Sequence, residues 1–250
     1  LAISQTSSGC YCIEWSSTEN GPKIINHKHL SVSKGLEDKK TFDKLISSIN
    51  PVLQLQESNS LSITLNSSQY ILSQLKYDSR IDPQEFINWY EKNILSDAFM
   101  QIYDIYYYPL YKQETFLTLS IMKSLKRKIV KNSLDHGYEL IYLSADIFST
   151  ATGVKQLFKL NDNDPFVIWK IDKNNSHCLI EYVGNEIKTY VKIKKVSNDF
   201  KVEYGVGCND DIANIKSFLH SILIQKKNVE FDKSVFVYQT SKSIEKINQI

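Results

Sequence analysis

The chain has 250 residues, 42% of them apolar and 23% charged, and its 30 basic and 28 acidic residues leave a net charge of +2. That length supplies a full core, in one large domain or two lobes, and the even charge balance excludes a strong general attraction to nucleic acid or anionic lipid. The longest apolar runs, such as residues 116–122, fall well short of the roughly twenty residues that cross a bilayer.

The eight glycines compare with roughly seventeen at average usage, so few tight turns are available for phosphate loops. No secretory signal is visible. Cys10, Cys12, Cys178 and Cys208 have no CxxC spacing and are expected to be reduced and mostly buried in a cytosolic protein.

In chain order, Leu1-Ala2-Ile3, a polar turn through Ser4–Gly9 and the run Cys10 to Trp15 predict a strand, a turn and a strand. Gly21-Pro22 marks a turn before an extended run over residues 23–33, which makes a three-stranded antiparallel start. Phe42, Leu45, Ile46 and Ile49 share one helical face over residues 39–49, and Asn50-Pro51 ends that helix. Leu61, Ile63 and Leu65 alternate as a strand.

Residues 69–77 read as another strand. Asp82-Pro83-Gln84-Glu85 is a helix start, with an Asp cap, Pro at the first helical position and Glu three residues after the cap. Phe86, Trp89, Tyr90 and Ile94 then form its apolar stripe. Residues 101–112 and 116–121 read as two antiparallel strands, so the order strand, helix, strand, strand predicts a small α+β insert. A helix over residues 122–136 follows, with Met122, Leu125, Ile129 and Val130 inward and Gly137 as its left-handed cap. A short buried strand at residues 140–143 leads to a helix through residues 148–158.

Residues 161–165 are polar, end in Pro165 and mark the lobe boundary. Strands are then predicted at residues 166–171, 178–183, 186–194 and 200–204, with Gly184-Asn185 as a hairpin turn. A helix over residues 210–225, a strand at 235–238 and a helix from 241 complete the chain. Each half opens with antiparallel strands and continues with alternating helices and strands.

Cys10-Tyr11-Cys12 puts two thiols on one strand face, and with His27 and His29 a Cys2His2 zinc site can be drawn. The competing reading has the cysteines filling the core and the histidines on the other face. The tyrosines at 103, 106, 107, 108 and 111 either form a stacking platform or pack as strand aromatics, and the absence of interleaved basic residues favours packing. Lys123, Arg127 and Lys131 form one helical stripe, read as a solvated face against a phosphate- or acid-binding surface.

The opening hairpin, the inserted strand–helix–strand–strand unit and the repeated order in the second half resemble the actin-like ATPase superfamily. Within it the likeness is to the pilus assembly proteins of the PilM type, and more distantly to FtsA and the cytoplasmic part of GspL. The resemblance implies an α/β, actin-like (RNase H-like) two-lobed fold. The first lobe is residues 1–66 with 122–160, the insert 67–121 and the second lobe 161–250.

The resemblance also locates a nucleotide pocket at Thr6, Ser7, Ser8, Asp172, Gln239 and Thr240. Ser7, Ser8 and Glu14 fit the first phosphate turn. Ser4 stands where the family has Asp, Thr6 where it has Gly, and Tyr11 where Lys is common. Asp172 is the carboxylate near the second phosphate hairpin, which lacks its glycine, and Gln239-Thr240 replaces paired glycines near the adenosine. Hydrolysis needs Mg²⁺ and a positioned water, so three degraded motifs imply a nonenzymatic scaffold or adaptor with no cofactor, no catalytic residues and no metal site. The partner it implies is a protein, in the form of a short tail of a membrane protein in a pilus or secretion assembly. It implies no nucleic acid, no membrane span of its own, and a cytoplasmic place peripheral to the inner membrane. The alternative is a nucleotide-binding actin-like ATPase with an unusual active site.

Overall fold

A computed structural model of the chain describes residues 1–6, 9–19, 21–32, 34–49, 59–161, 163–172, 176–196, 199–207 and 234–239. The chain divides into two compact units. The first comprises Leu1–Ile71, Asp97–Asp104 and Ser120–Ser149, and the second Leu72–Ser96, Ile105–Leu119 and Thr150–Ile250.

The first unit is built on a five-stranded sheet. Strands β1 (Ala2–Thr6), β2 (Gly9–Thr18) and β3 (Gly21–Leu30) form an antiparallel meander, and β4 (Ser60–Leu65) runs parallel to β1. Helix α1 (Lys39–Ile49) lies between β3 and β4 in sequence. Its predicted face is the observed one, with Phe42, Leu45, Ile46 and Ile49 all buried. Asp38 starts it by accepting from Thr41 N at 3.0 Å. The strand alternation of Leu61, Ile63 and Leu65 also holds, each being fully buried.

Between β4 and the return to this sheet come β5 (Tyr70–Lys76), α2 (Pro83–Asn93), α3 (Asp97–Ile102), β6 (Tyr103–Pro109) and β7 (Thr115–Met122). Their strands form a separate sheet in the order β5-β7-β6. Asp82 caps α2 as its sequence requires, accepting from Gln84 N and Glu85 N at 2.9 and 3.1 Å. Two details differ from the sequence reading. The residues just before β6 wind into the short α3, and the stripe on α2 stays half open, with Trp89 51% and Ile94 56% exposed. Phe86 covers Tyr77, their rings 5.8 Å apart, but nothing in the pattern of a lone amphipathic helix says how much of its stripe a small sheet can cover.

Helix α4 (Lys123–Asp135) leads to β8 (Glu139–Ala145), which joins the first sheet parallel to β4. The order is β3-β2-β1-β4-β8. Gly137 takes the positive φ of 79° that ends α4, and His136 Nδ1 lies 2.8 Å from Asn132 O. The inward face of α4 is narrower and more polar than periodicity suggests. Ile129, Asn132 and Ser133 are buried, whereas Met122, at the strand–helix junction, is 42% exposed. Asn132 Nδ2 donates to Leu36 O at 3.0 Å, which explains how an amide fits there.

Helix α5 (Asp146–Phe158) precedes the second sheet: β9 (Pro165–Ile171), β10 (Ser176–Val183), β11 (Glu186–Val196), β12 (Asp199–Val206) and β13 (Ser234–Gln239). Its order is β12-β11-β10-β9-β13. β9, β10, β11 and β12 pair antiparallel in succession, and β13 runs parallel to β9. Val167, Trp169, Leu179, Val191 and Ile193 form the core of one face, and Phe158 meets Phe236 on the other at 4.6 Å. Both sheets therefore contain the same motif: an antiparallel meander whose first strand is flanked on its far side by a parallel strand. The predicted helices at 210–225 and from 241, and Cys208, lie outside the described residues.

Candidate functional site

In the first unit the turn between β1 and β2 carries Thr6. Its hydroxyl donates to Gly9 O at 3.1 Å, closing the turn on itself. A Cβ on Gly9 would meet Leu30 O at 2.2 Å, so the glycine is required by the close approach of β3. Ser7 and Ser8 lie outside the described residues.

In the second unit Asp172 follows β9, and its backbone N–H donates to Ser176 O at 2.8 Å across the hairpin. Its carboxylate lies 2.8 Å from the ammonium of Lys170, whose side chain is 1% exposed. Gln239 ends β13 in register with Ile171, so Gln239 and Asp172 stand at neighbouring strand ends. Thr240 lies outside the described residues. A carboxylate already neutralised by a buried ammonium does not fit a magnesium ligand, because the cation it would bind must compete with a desolvated partner.

Sequence reasoning overlooked a polar row in the first unit. Ser4, Thr64 and Ser144 are in register across β1, β4 and β8, and Thr64 Oγ1 lies 2.9 Å from Ser4 Oγ. One residue pair further along, Asp146 starts α5, its Oδ1 accepting from Ile147 N at 2.9 Å and Tyr70 Oη at 3.1 Å. The hydroxyls were visible in the sequence, but their alignment depends on strand order.

A groove of about 390 Å³ lies wholly within the first unit. Tyr70, Ile71, Tyr103, Met122 and Leu125 give it apolar walls, with Glu37 and Lys128 as its charged groups. Ile71 is 47% and Met122 42% exposed, so these walls are open to solvent. Glu37 is held in place by Gln69 Nε2 at 3.3 Å, and Tyr103 stacks on Phe99 at 4.7 Å.

No family model matches the sequence, and no curated protein matches it. Solved structures do. A chain of a PilM-PilN type IV pilus biogenesis complex is similar at 10% identity, with a TM-score of 0.53 over 90% of this chain and 65% of that one, so this chain spans under two thirds of its length. The cytoplasmic domain of EpsL, an inner membrane component of the type II secretion system of Vibrio cholerae, is similar at 10% identity and a TM-score of 0.49, over 96% of this chain and 82% of that one. A Bacteroides thetaiotaomicron protein with an actin-like ATPase fold and unknown function follows at 11% identity, a TM-score of 0.45 and coverage of 100% and 85%.

The fold is actin-like.

On this actin-like frame the drawn zinc site does not form. Tyr11 pairs with His29 and Ile13 with His27, whereas Cys10 and Cys12 pair with Leu30 and Lys28. Side chains alternate across a strand, so thiols and imidazoles occupy opposite faces. Burial pushes both thiols up to about 12, and among the described residues no group of three metal-ligating side chains exists. The tyrosine run is spent on packing: Tyr107 lies edge-on to Phe116 at 6.1 Å and its hydroxyl donates to Glu91 at 3.1 Å. Among the described residues no helix is long and apolar enough to cross a membrane.

Proposed function

We propose that this chain is a nonenzymatic actin-like adaptor whose first unit holds a short tail of a membrane-protein partner in the groove beside Tyr103 and Met122. The groove carries the reading. Its aromatic and aliphatic walls are half-exposed, and a short extended segment with one or two apolar side chains would cover them. Glu37 and Lys128 give such a segment a direction. The likeness to a structure described as a pilus biogenesis complex supports the setting: a pilus or secretion assembly, with the chain at the cytoplasmic face of an inner membrane through its partner. The near-neutral charge supports a protein partner over nucleic acid.

No nucleotide is needed for this role. The Lys170–Asp172 pair supplies inside the second hairpin the positive charge that a magnesium ion would bring. A second reading, a nucleotide-binding actin-like ATPase with an unusual site, is favoured by the Ser4–Thr64–Ser144 row, because ligands bind beyond the carboxyl ends of parallel strands.

The experiment has two arms. Calorimetric titration with synthetic tails of single-span proteins encoded beside this gene should show saturable binding that Tyr103→Ala and Met122→Asp weaken. Thermal melting with millimolar Mg-ATP should leave the midpoint unmoved, since a ligand of the native state raises it. A nucleotide shift that Asp172→Ala abolishes overturns the adaptor reading in favour of the second.

A further inference from the structure

The other flank of α4 carries a groove of about 500 Å³ lined by the cations Lys123, Lys126, Arg127 and Lys131, by Val130 and Leu134, and by Asp104 and Asp135. We infer that it is a docking site for an acidic polypeptide segment bearing one apolar anchor residue. The inference stands apart from the tail groove and shares none of its lining residues.

The charge arithmetic of the groove leaves a surplus. Asp104 Oδ2 lies 2.8 Å from Lys126 Nζ, and its other oxygen is 3.8 Å from Lys123 Nζ. Lys123 Nζ also donates to Met100 O at 2.6 Å. Asp135 is engaged by Lys39 at 3.5 Å. Among the described residues, Arg127 and Lys131 have no carboxylate within ion-pair reach. They are one helical turn apart on the same face, so their heads can be bridged by neighbouring carboxylates of one extended segment.

Helix stability does not call for this arrangement. The first turn of α4 holds no acidic residue, and Lys123 and Lys126 sit at the positive end of the helix dipole, where cations are disfavoured. Between and beyond the cations lie Val130 and Leu134, and Leu134 is 61% exposed. The spacing 127, 130, 131, 134 places charge and apolar surface on one stripe. A ligand that answers both is a peptide with paired acids around an aliphatic or aromatic residue.

Nucleic acid fits less well, because no aromatic ring lines the groove to stack a base. A lipid surface fits less well, because a net charge of +2 on 250 residues gives anionic headgroups little general attraction.

The test uses the full chain and a fluorescein-labelled pentapeptide of two glutamates, a leucine and two glutamates. Anisotropy should report saturable binding that weakens with salt. Arg127→Glu with Lys131→Glu should loosen it by about tenfold, and Leu134→Ala by roughly fivefold. The same charge reversal at Lys194 and Lys201, exposed on β11 and β12, should leave it unaltered, and all variants should keep the wild-type melting midpoint. The inference is overturned if wild type shows no saturable binding, if reversal at 127 and 131 has no more effect than reversal at 194 and 201, or if an oligothymidine or phosphatidylglycerol vesicle binds more tightly than the peptide.

Discussion

Lys170 Nζ lies 2.8 Å from Asp172 Oδ2, two residues along one strand end, with the lysine side chain 1% and the aspartate 12% exposed. Two residues apart on a strand, both side chains leave the same face, so an ammonium buried inside the sheet meets the carboxylate at its rim. The pair fixes both side chains at the end of β9.

Breaking this pair on one side should cost far more than removing it. Asp172→Ala leaves an ammonium buried without its anion and should lower unfolding free energy by about 3 kcal/mol or more, whereas Lys170→Met with Asp172→Asn should cost much less. Urea unfolding of the two variants checks the difference. Equal losses would mean the pair is not coupled.

The buried thiols predict an alkaline limit. Cys10 and Cys12 are raised from 9.0 to about 12, chiefly by burial. The unfolded chain therefore loses these protons first, and their contribution to stability is complete below pH 9 and lost as pH rises toward 12. Replacing both cysteines by alanine should flatten the decline across that window. In the native protein at pH 8, iodoacetamide should leave both unmodified, and urea should expose them, as read by peptide mass.

Gly9→Ala should destabilise the opening meander. The added methyl would stand 2.2 Å from Leu30 O, and a backbone atom cannot rotate away as a side chain can. A loss of about 1–3 kcal/mol is expected, with faster amide exchange concentrated in β1, β2 and β3. Unchanged exchange there would show that β3 yields without cost.

Asn132→Ala should cost about 1–3 kcal/mol, because Leu36 O loses its donor inside the protein. Leucine at the same position should not recover the loss, since it fills volume without supplying an N–H. Recovery by leucine would show that packing, not the hydrogen bond, holds the site.

The sequence by itself determined many of the described elements, though not α3. The 3.6-residue spacing of Phe42, Leu45, Ile46 and Ile49, the alternation of Leu61, Ile63 and Leu65, and the Asp82-Pro83 start all reflect short-range physics, and each appears in the structure. It also carried the antiparallel meander that opens each half, part of the order from which the actin-like resemblance came. Tertiary structure decided the rest, because partners far apart in the chain meet only once strand order and register are set. The row Ser4–Thr64–Ser144, the histidines turned away from Cys10 and Cys12, and the two grooves flanking α4 all depend on which elements lie side by side. A periodic pattern shows which face of an element is apolar, but not what will cover it, and that is why Met122 and Trp89, expected inside, remain open to solvent.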